Sequence, residues 1–180
     1  MAGASGSGKT TLARRLAEAL EVRHTEIDGL FHGPGWTTRA SFQADVLAFS
    51  AEPTWVTEWQ YAGVRPLLID RADTLVWLDL RRTTVMWRVV RRTLGRRWRR
   101  ERLWNDNVER PLWTIFTDAD HIVRWAWRTH AERSAEVLQA AQHHPRVQVV
   151  RLCRQRDVER WLTGPLAATL GPRSNPARAD

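Results

Sequence analysis

An α/β domain built on a parallel sheet is the fold class this chain predicts, and three observations predict it. Strand-like and helix-like segments alternate along most of the 180 residues, the order that lays helices on the faces of a parallel sheet. A glycine-rich stretch, GASGSGKTT, leads directly into a helical pattern. The apolar run TLVWLDL, from Thr74 to Leu80, has the composition of a buried strand.

The glycine-rich stretch comes first. It fits G-x-x-x-x-G-K-[ST] at Gly3, Gly8, Lys9 and Thr10, with Gly6 as an additional flexible point. Glycines let consecutive backbone N–H groups turn inward around phosphate oxygens, a concave site that a Cβ would obstruct. Lys9 would reach the β- and γ-phosphates, and the Thr10 hydroxyl would ligate Mg²⁺. The nucleotide-binding candidates are therefore Gly3, Ser5, Gly6, Ser7, Gly8, Lys9, Thr10 and Thr11. The composition adds an independent pointer, because the chain has 27 arginines and one lysine, and that lysine is Lys9. A chain so biased towards arginine keeps lysine where a compact ammonium has no planar substitute.

The elements follow in order. Leu12, Leu16 and Leu20, with Ala13, Ala17 and Ala19, mark an amphipathic helix whose N-terminus faces the phosphates. A weak, polar strand is expected from about Val22 to Asp28, suited to a sheet edge. A helix near Ser41 to Phe49 precedes the short strand TWVTEW from Thr54. After the strand Thr74 to Leu80 come a basic helix from about Thr83 to Leu94, an Arg/Trp-rich segment up to about Asp120, and a long helix from about Ile122 to Gln142. The strand RVQVVRL and a closing helix from Asp157 to Leu162 complete the domain, residues 1–163. Residues 164–180 form a tail with turn formers and few apolar side chains, expected to be disordered from about 171.

The strand that should feed the loop has only Met1 and Ala2, about 7 Å of chain. A sheet strand runs to about 5 or 6 residues, so the expectation is that about four to seven apolar residues precede Met1 in the natural protein.

Composition narrows the class. The single Cys153 excludes an internal disulfide, and no run approaches the roughly 18 apolar residues of a membrane span. The expectation is a soluble cytoplasmic protein with no membrane partner. A net charge of +8 suits an anionic ligand without naming it. The 11 tryptophans are expected mainly in the core or half-buried, with one or two lining a pocket.

With the loop, the strand order and IDGLFHGPGW on the page, the chain resembles the P-loop kinases of the adenylate kinase and shikimate/gluconate kinase group, and more closely the bacterial topology modulation protein (FlaR-like) branch. The likeness spans roughly residues 3–163 and rests on GSGKTTLARRLA, IDGLFHGPGW, WVTEWQYAG, LVWLDL, LWNDNVE and RWAWRTHAER. It implies a three-layer P-loop fold with a five-stranded parallel sheet, an arginine-rich helical lid over about 83–128, ATP and Mg²⁺, and an acceptor site beside the second and third strands. The chain departs from the branch at Glu58-Trp59, where Asp-Gly is usual before an amide and a tyrosine.

Phosphoryl transfer needs a metal, cations on the phosphates and a group to orient or deprotonate the acceptor. Asp28, just past a strand, is the candidate for the last role, with capping before Gly29 as its structural alternative. Glu26, two residues earlier, would share a strand face with it. The resemblance gives the metal-linked position to Glu58, acting with Thr10 through water, and leaves Asp79 structural. Arg88, Arg91 and Arg92 fall on one helix face, and Arg88 and Arg92 are the candidate phosphate ligands. Arg128 and Arg133 are second contributors. His32 would face the acceptor, while Asn105, Asn107 and Glu109 would line its pocket or cap a helix. The histidines have no zinc spacing.

The function expected is transfer of the γ-phosphate of MgATP to a small hydroxyl- or phosphate-bearing acceptor. Two alternatives stay open: a nucleic-acid-associated ATPase, from the Arg/Trp interleaving between Arg91 and Trp104, and a nucleotide-switched regulatory protein, from the altered Glu58-Trp59.

Overall fold

The computed structural model describes residues 1–99 and 122–166. In chain order it has β1 (Ala2–Gly3), α1 (Lys9–Leu20), β2 (His24–Thr25), α2 (Ile27–Phe31), α3 (Phe42–Phe49), β3 (Val56–Thr57), α4 (Arg65–Arg71), β4 (Thr74–Leu78), α5 (Arg82–Arg99), α6 (Ile122–His143), β5 (Gln148–Leu152) and α7 (Gln155–Thr163). The chain is α/β with parallel pairing throughout its ladders.

The expected five-stranded sheet is corrected. Three strands form one sheet in the order β1-β4-β5, and β2 with β3 forms a separate two-stranded pair. The two are stitched at a single point, where the Met1 amine donates to Thr57 O at 2.7 Å and Trp59 N–H donates to Met1 O at 2.7 Å. Those bonds make one parallel rung, Met1 opposite Glu58. They set β3 beside β1, but β1 is too short for a ladder to grow from the rung.

The expected strand over 22–28 is also shorter than its pattern, because the chain turns into α2 at Ile27. That side chain is fully buried, and its N–H donates to Glu58 Oε2 at 3.1 Å instead of to a neighbouring strand. Glu26 consequently precedes the helix while Asp28 lies in its first turn, so the two carboxylates do not share a strand face. The helix α4 was not anticipated; Pro66 masks it in the sequence, although proline fits the first turn of a helix.

Alternation along β4 builds the layers. Val76 and Leu78 face Leu12, Leu16, Leu152 and Val158, so α1 and α7 cover one side. Leu75 and Trp77 face Ile69, Val137 and Val147, so α4 and α6 cover the other. Each such buried aliphatic side chain contributes about 1.5–3 kcal/mol relative to exposure. A further cluster of Ile27, Phe42, Val46, Phe49, Val64 and Leu68 ties α2, α3 and α4 into one block. The last cluster, Ala4, Leu80, Val85 and Val89, clamps α5 against the glycine-rich turn. The cluster with Ala4 borders the loop and fixes what stands around it.

Tryptophan use is mixed among the described residues. Trp77 is in the core, Trp55, Trp59 and Trp161 are half-buried, and Trp36, Trp87 and Trp127 are exposed. No described helix is long and apolar enough to cross a membrane.

Candidate functional site

The turn between β1 and α1 takes the shape that its glycines were expected to permit. Gly3, Gly6 and Gly8 have φ of 142°, 82° and 100°, a region where L side chains are strained. Space is short as well as shape: a Cβ on Gly6 would lie 2.3 Å from Val89 Cγ2, and one on Gly3 would lie 2.8 Å from Leu78 O. Ser7, with its N–H bonded to Ala4 O at 3.1 Å, is buried at the base of the turn. Ser5 and Ser7 belong to the loop, Gly8 caps α1, and Thr10 and the exposed Thr11 stand in the first turn of the helix. The 12-residue α1 thus directs its N-terminal N–H groups into the turn.

Lys9 lies inside this turn, 8 % exposed, with Nζ donating to Gly3 O at 3.0 Å and Ala4 O at 3.2 Å. Burial lowers its pKa to about 8, against the pull of Asp28 and Glu58; Arg92 and Arg133 act in the same direction as burial. The charges that act on the ammonium are therefore carboxylates carried by α2 and the end of β3 and guanidiniums carried by α5 and α6. Arg88 closes the turn, donating to Ser7 O and to Gln155 Oε1, each at 2.9 Å. Arg91 lies over the exposed Trp87 ring, 5.1 Å from the centroid. Arg133 donates to Glu136 Oε2 at 2.8 Å, an oxygen it shares with Arg65. Arg128 is carried on α6, and its side chain falls outside the described ones, as do Asn105, Asn107 and Glu109 altogether.

On the opposite bank Asp28 is held by two donors. Gln60 Nε2 lies 3.0 Å and the Tyr61 hydroxyl 2.6 Å from Asp28 Oδ1. The same hydroxyl is 3.2 Å from His32 Nε2, joining Asp28 and His32 through one phenol. Burial drives the Tyr61 pKa up, with the Asp28 charge and hydrogen bond adding to it, so the phenol stays a donor. Burial lowers the His32 pKa while Asp28 opposes that shift. Tyr61 is stacked on Phe31 at 3.8 Å and has φ of 60°, a strained conformation held by its neighbours.

Glu58 is the deepest charge of the site, 1 % exposed. Burial would raise its pKa, but the bonds from His24 and the Ile27 N–H, with a smaller contribution from the Thr10 hydroxyl, prevail and leave it lowered. Glu26 is raised by burial first and then by the charges of Glu58 and Asp28. Among the described residues no group of three or more His, Cys, Asp or Glu is gathered to hold a metal by itself. The donor set is instead one hydroxyl, Thr10, beside one carboxylate, Glu58. That set fits Mg²⁺, which keeps several waters and takes its remaining ligands from substrate phosphates. Asp79 accepts from Arg151 Nε at 2.8 Å and from the Ser134 hydroxyl at 3.4 Å.

Gln60, Tyr61 and His24 were not anticipated as site residues. The dipeptide Gln60-Tyr61 was a signal for the first two, since it stands at the end of the strand that carries Glu58. Nothing local marks His24, whose contact with Glu58 depends on the pairing of β2 with β3.

No protein-family model matches the chain, and neither a curated protein nor a solved structure matches it significantly.

Proposed function

We propose that the protein is an ATP-dependent phosphotransferase, a P-loop kinase in fold, that moves the γ-phosphate of MgATP to a hydroxyl- or phosphate-bearing acceptor. The observation that carries this reading is Lys9, buried in the glycine turn with Nζ on Gly3 O and Ala4 O and subject there to the charges of Asp28 and Glu58. A phosphate-binding turn alone would serve many functions. A turn whose ammonium also senses a carboxylate on a separate structural block has a donor side and an acceptor side. The adjacency of β3 to β1 through Met1 supports the same fold, since it gives the spatial order β2-β3-β1-β4-β5.

In this mechanism the N–H groups of residues 3–10 receive the phosphates, Lys9 bridges the terminal ones, and Arg88 guards the mouth. Mg²⁺, when bound, neutralises phosphate charge, with Thr10 as its protein ligand and Glu58 behind it. Asp28 orients the acceptor hydroxyl and takes its proton as the acceptor oxygen bonds to the γ-phosphorus and the bond to the ADP oxygen breaks. The two described donors to Asp28 both fall on Oδ1, so Oδ2 is the oxygen offered to the acceptor.

A screen of ADP release over hydroxyl- and phosphate-bearing metabolites tests the proposal. One acceptor should give saturable turnover, and Asp28→Asn should lower it by about 100-fold or more while MgATP binding survives. ATP binding without acceptor-dependent ADP release would point to a regulatory protein. Release stimulated only by polynucleotide would point to a nucleic-acid-associated ATPase.

A further inference from the structure

A cation beside the N-terminal end of a helix meets the positive end of the helix dipole and is disfavoured there unless it is held or balanced by an anion. Arg88 is so placed. Its Nη1 donates to Ser7 O at 2.9 Å, and a Cβ on Gly8, which caps α1, would meet that nitrogen at 3.6 Å. A second tether comes from α7, where Gln155 Oε1 accepts from Arg88 Nη2 at 2.9 Å. Gln155 Nε2 donates in turn to Glu159 Oε1 at 2.8 Å, and Arg15 forks onto the two oxygens of Glu159 at 2.8 and 2.7 Å. The bond from Arg15, then that from Gln155, lowers the Glu159 pKa to about 2, so this carboxylate is ionised and only accepts. A guanidinium only donates. Both neighbours therefore demand the same orientation of the Gln155 amide, nitrogen to Glu159 and oxygen to Arg88.

We propose that Gln155 is the positioning residue for Arg88, holding its guanidinium over the glycine turn as a phosphate ligand. The proposal rests on the nucleotide reading above. The contacts to described residues take one N–H of each terminal nitrogen, which leaves the other N–H groups of the fork for phosphate oxygens. An anion seated between Arg88 and the end of α1 would also relieve the meeting of cation and dipole. The tether runs from α1 at Arg15 through α7 to Arg88 on α5 and returns to the turn at Ser7, so the phosphate helix and its arginine share one frame. Without the Gln155 amide, Ser7 O is the remaining described acceptor, and the guanidinium can pivot about it away from the turn. Lys9, the glycine turn and the Arg15–Glu159 pair would stay in place. The loss should therefore be confined to what Arg88 contributes.

The test is calorimetric titration of MgATP into the full chain, with melting of the same samples to show that each is folded. Arg88→Ala should weaken binding by about tenfold or more, the scale of hydrogen bonds to a charged group. Gln155 is exposed, so its replacement leaves the core intact. Gln155→Met, which keeps the length of the side chain and removes the amide, should reproduce most of the Arg88→Ala loss, and the two together should bind no more weakly than Arg88→Ala alone. The exchange Gln155→Glu with Glu159→Gln keeps the net charge, an acceptor for Arg88 and a donor from position 159, and should restore wild-type affinity. If Gln155→Met melts before titration, Gln155→Ala is read in the same way. Wild-type affinity in the folded Gln155 variant or in Arg88→Ala, a further loss when the two are combined, or an exchange that binds no better than Gln155→Met overturns the proposal while leaving the nucleotide reading intact. Absence of MgATP binding by the wild type overturns both.

Discussion

At the scale of single residues, Lys9 is both the most exposed to test and the easiest to read. Its pKa of about 8 in the free protein follows first from burial, and phosphate oxygens would favour the charged form. Nucleotide binding then carries a proton uptake above pH 8. ATP affinity should fall as pH rises through that value, approaching about tenfold per unit once Lys9 is neutral in the free protein. Titrations from about pH 7 to about pH 9.5 check this, and a flat profile would contradict the placement of Lys9 on the phosphates. Tyr61→Phe removes the 2.6 Å bond to Asp28 and should cost about 1.5–3 kcal/mol in urea unfolding, the range for a hydrogen bond to a charged group. Lys9 was legible because a phosphate turn has fixed spacing and the chain has no other lysine. Tyr61 was less legible, since its left-handed backbone and its bridge to His32 arise from the packing of α2 and α3 around it. Asp28 was found for a reason that only half held: it borders the site, but from the first turn of a helix and not from a strand end.

At the scale of elements, the approach of α5 to the glycine turn decides whether the loop keeps its shape. Gly6→Ala would place a methyl 2.3 Å from Val89 Cγ2 at a φ of 82°. The crowding and the backbone strain each cost about 1–3 kcal/mol. The variant should lose stability and nucleotide binding together, and Val89→Ala should restore part of the stability by vacating that space. Chemical denaturation of the single and double variants measures both effects, and an unchanged Gly6→Ala protein would contradict the described contact. The long helices and β4 were legible from their apolar periodicity. The two-residue strands β2 and β3 were not, because what ends them is a tertiary bond, Ile27 N–H to Glu58, that no local pattern announces. The helix α4 was missed for the opposite reason, a proline that belongs to its start.

At the scale of the whole molecule, the helical layers carry the carboxylates and the arginines whose charges act on the glycine turn. The helix after the loop is α1 and the arginines come from α5 and α6; Asp28 comes from α2 and its donors Gln60 and Tyr61 from the segment between β3 and α4. The alternation in the sequence predicted this α/β layering, yet the continuous sheet implied by the resemblance is replaced by three strands and two, joined through one rung at Met1. Net charge +8 adds a general attraction for polyanions, which should weaken steeply with salt, whereas binding in the glycine turn should weaken much less. The central claim, that this turn is a working nucleotide site, is tested most directly by titrating MgATP into the chain and into Lys9→Ala in a calorimeter. Melting of the same samples shows separately that both are folded. Saturable binding by the chain, lost in the folded Lys9→Ala protein, is the predicted result; two folded proteins that both fail to bind, or bind equally, would contradict it.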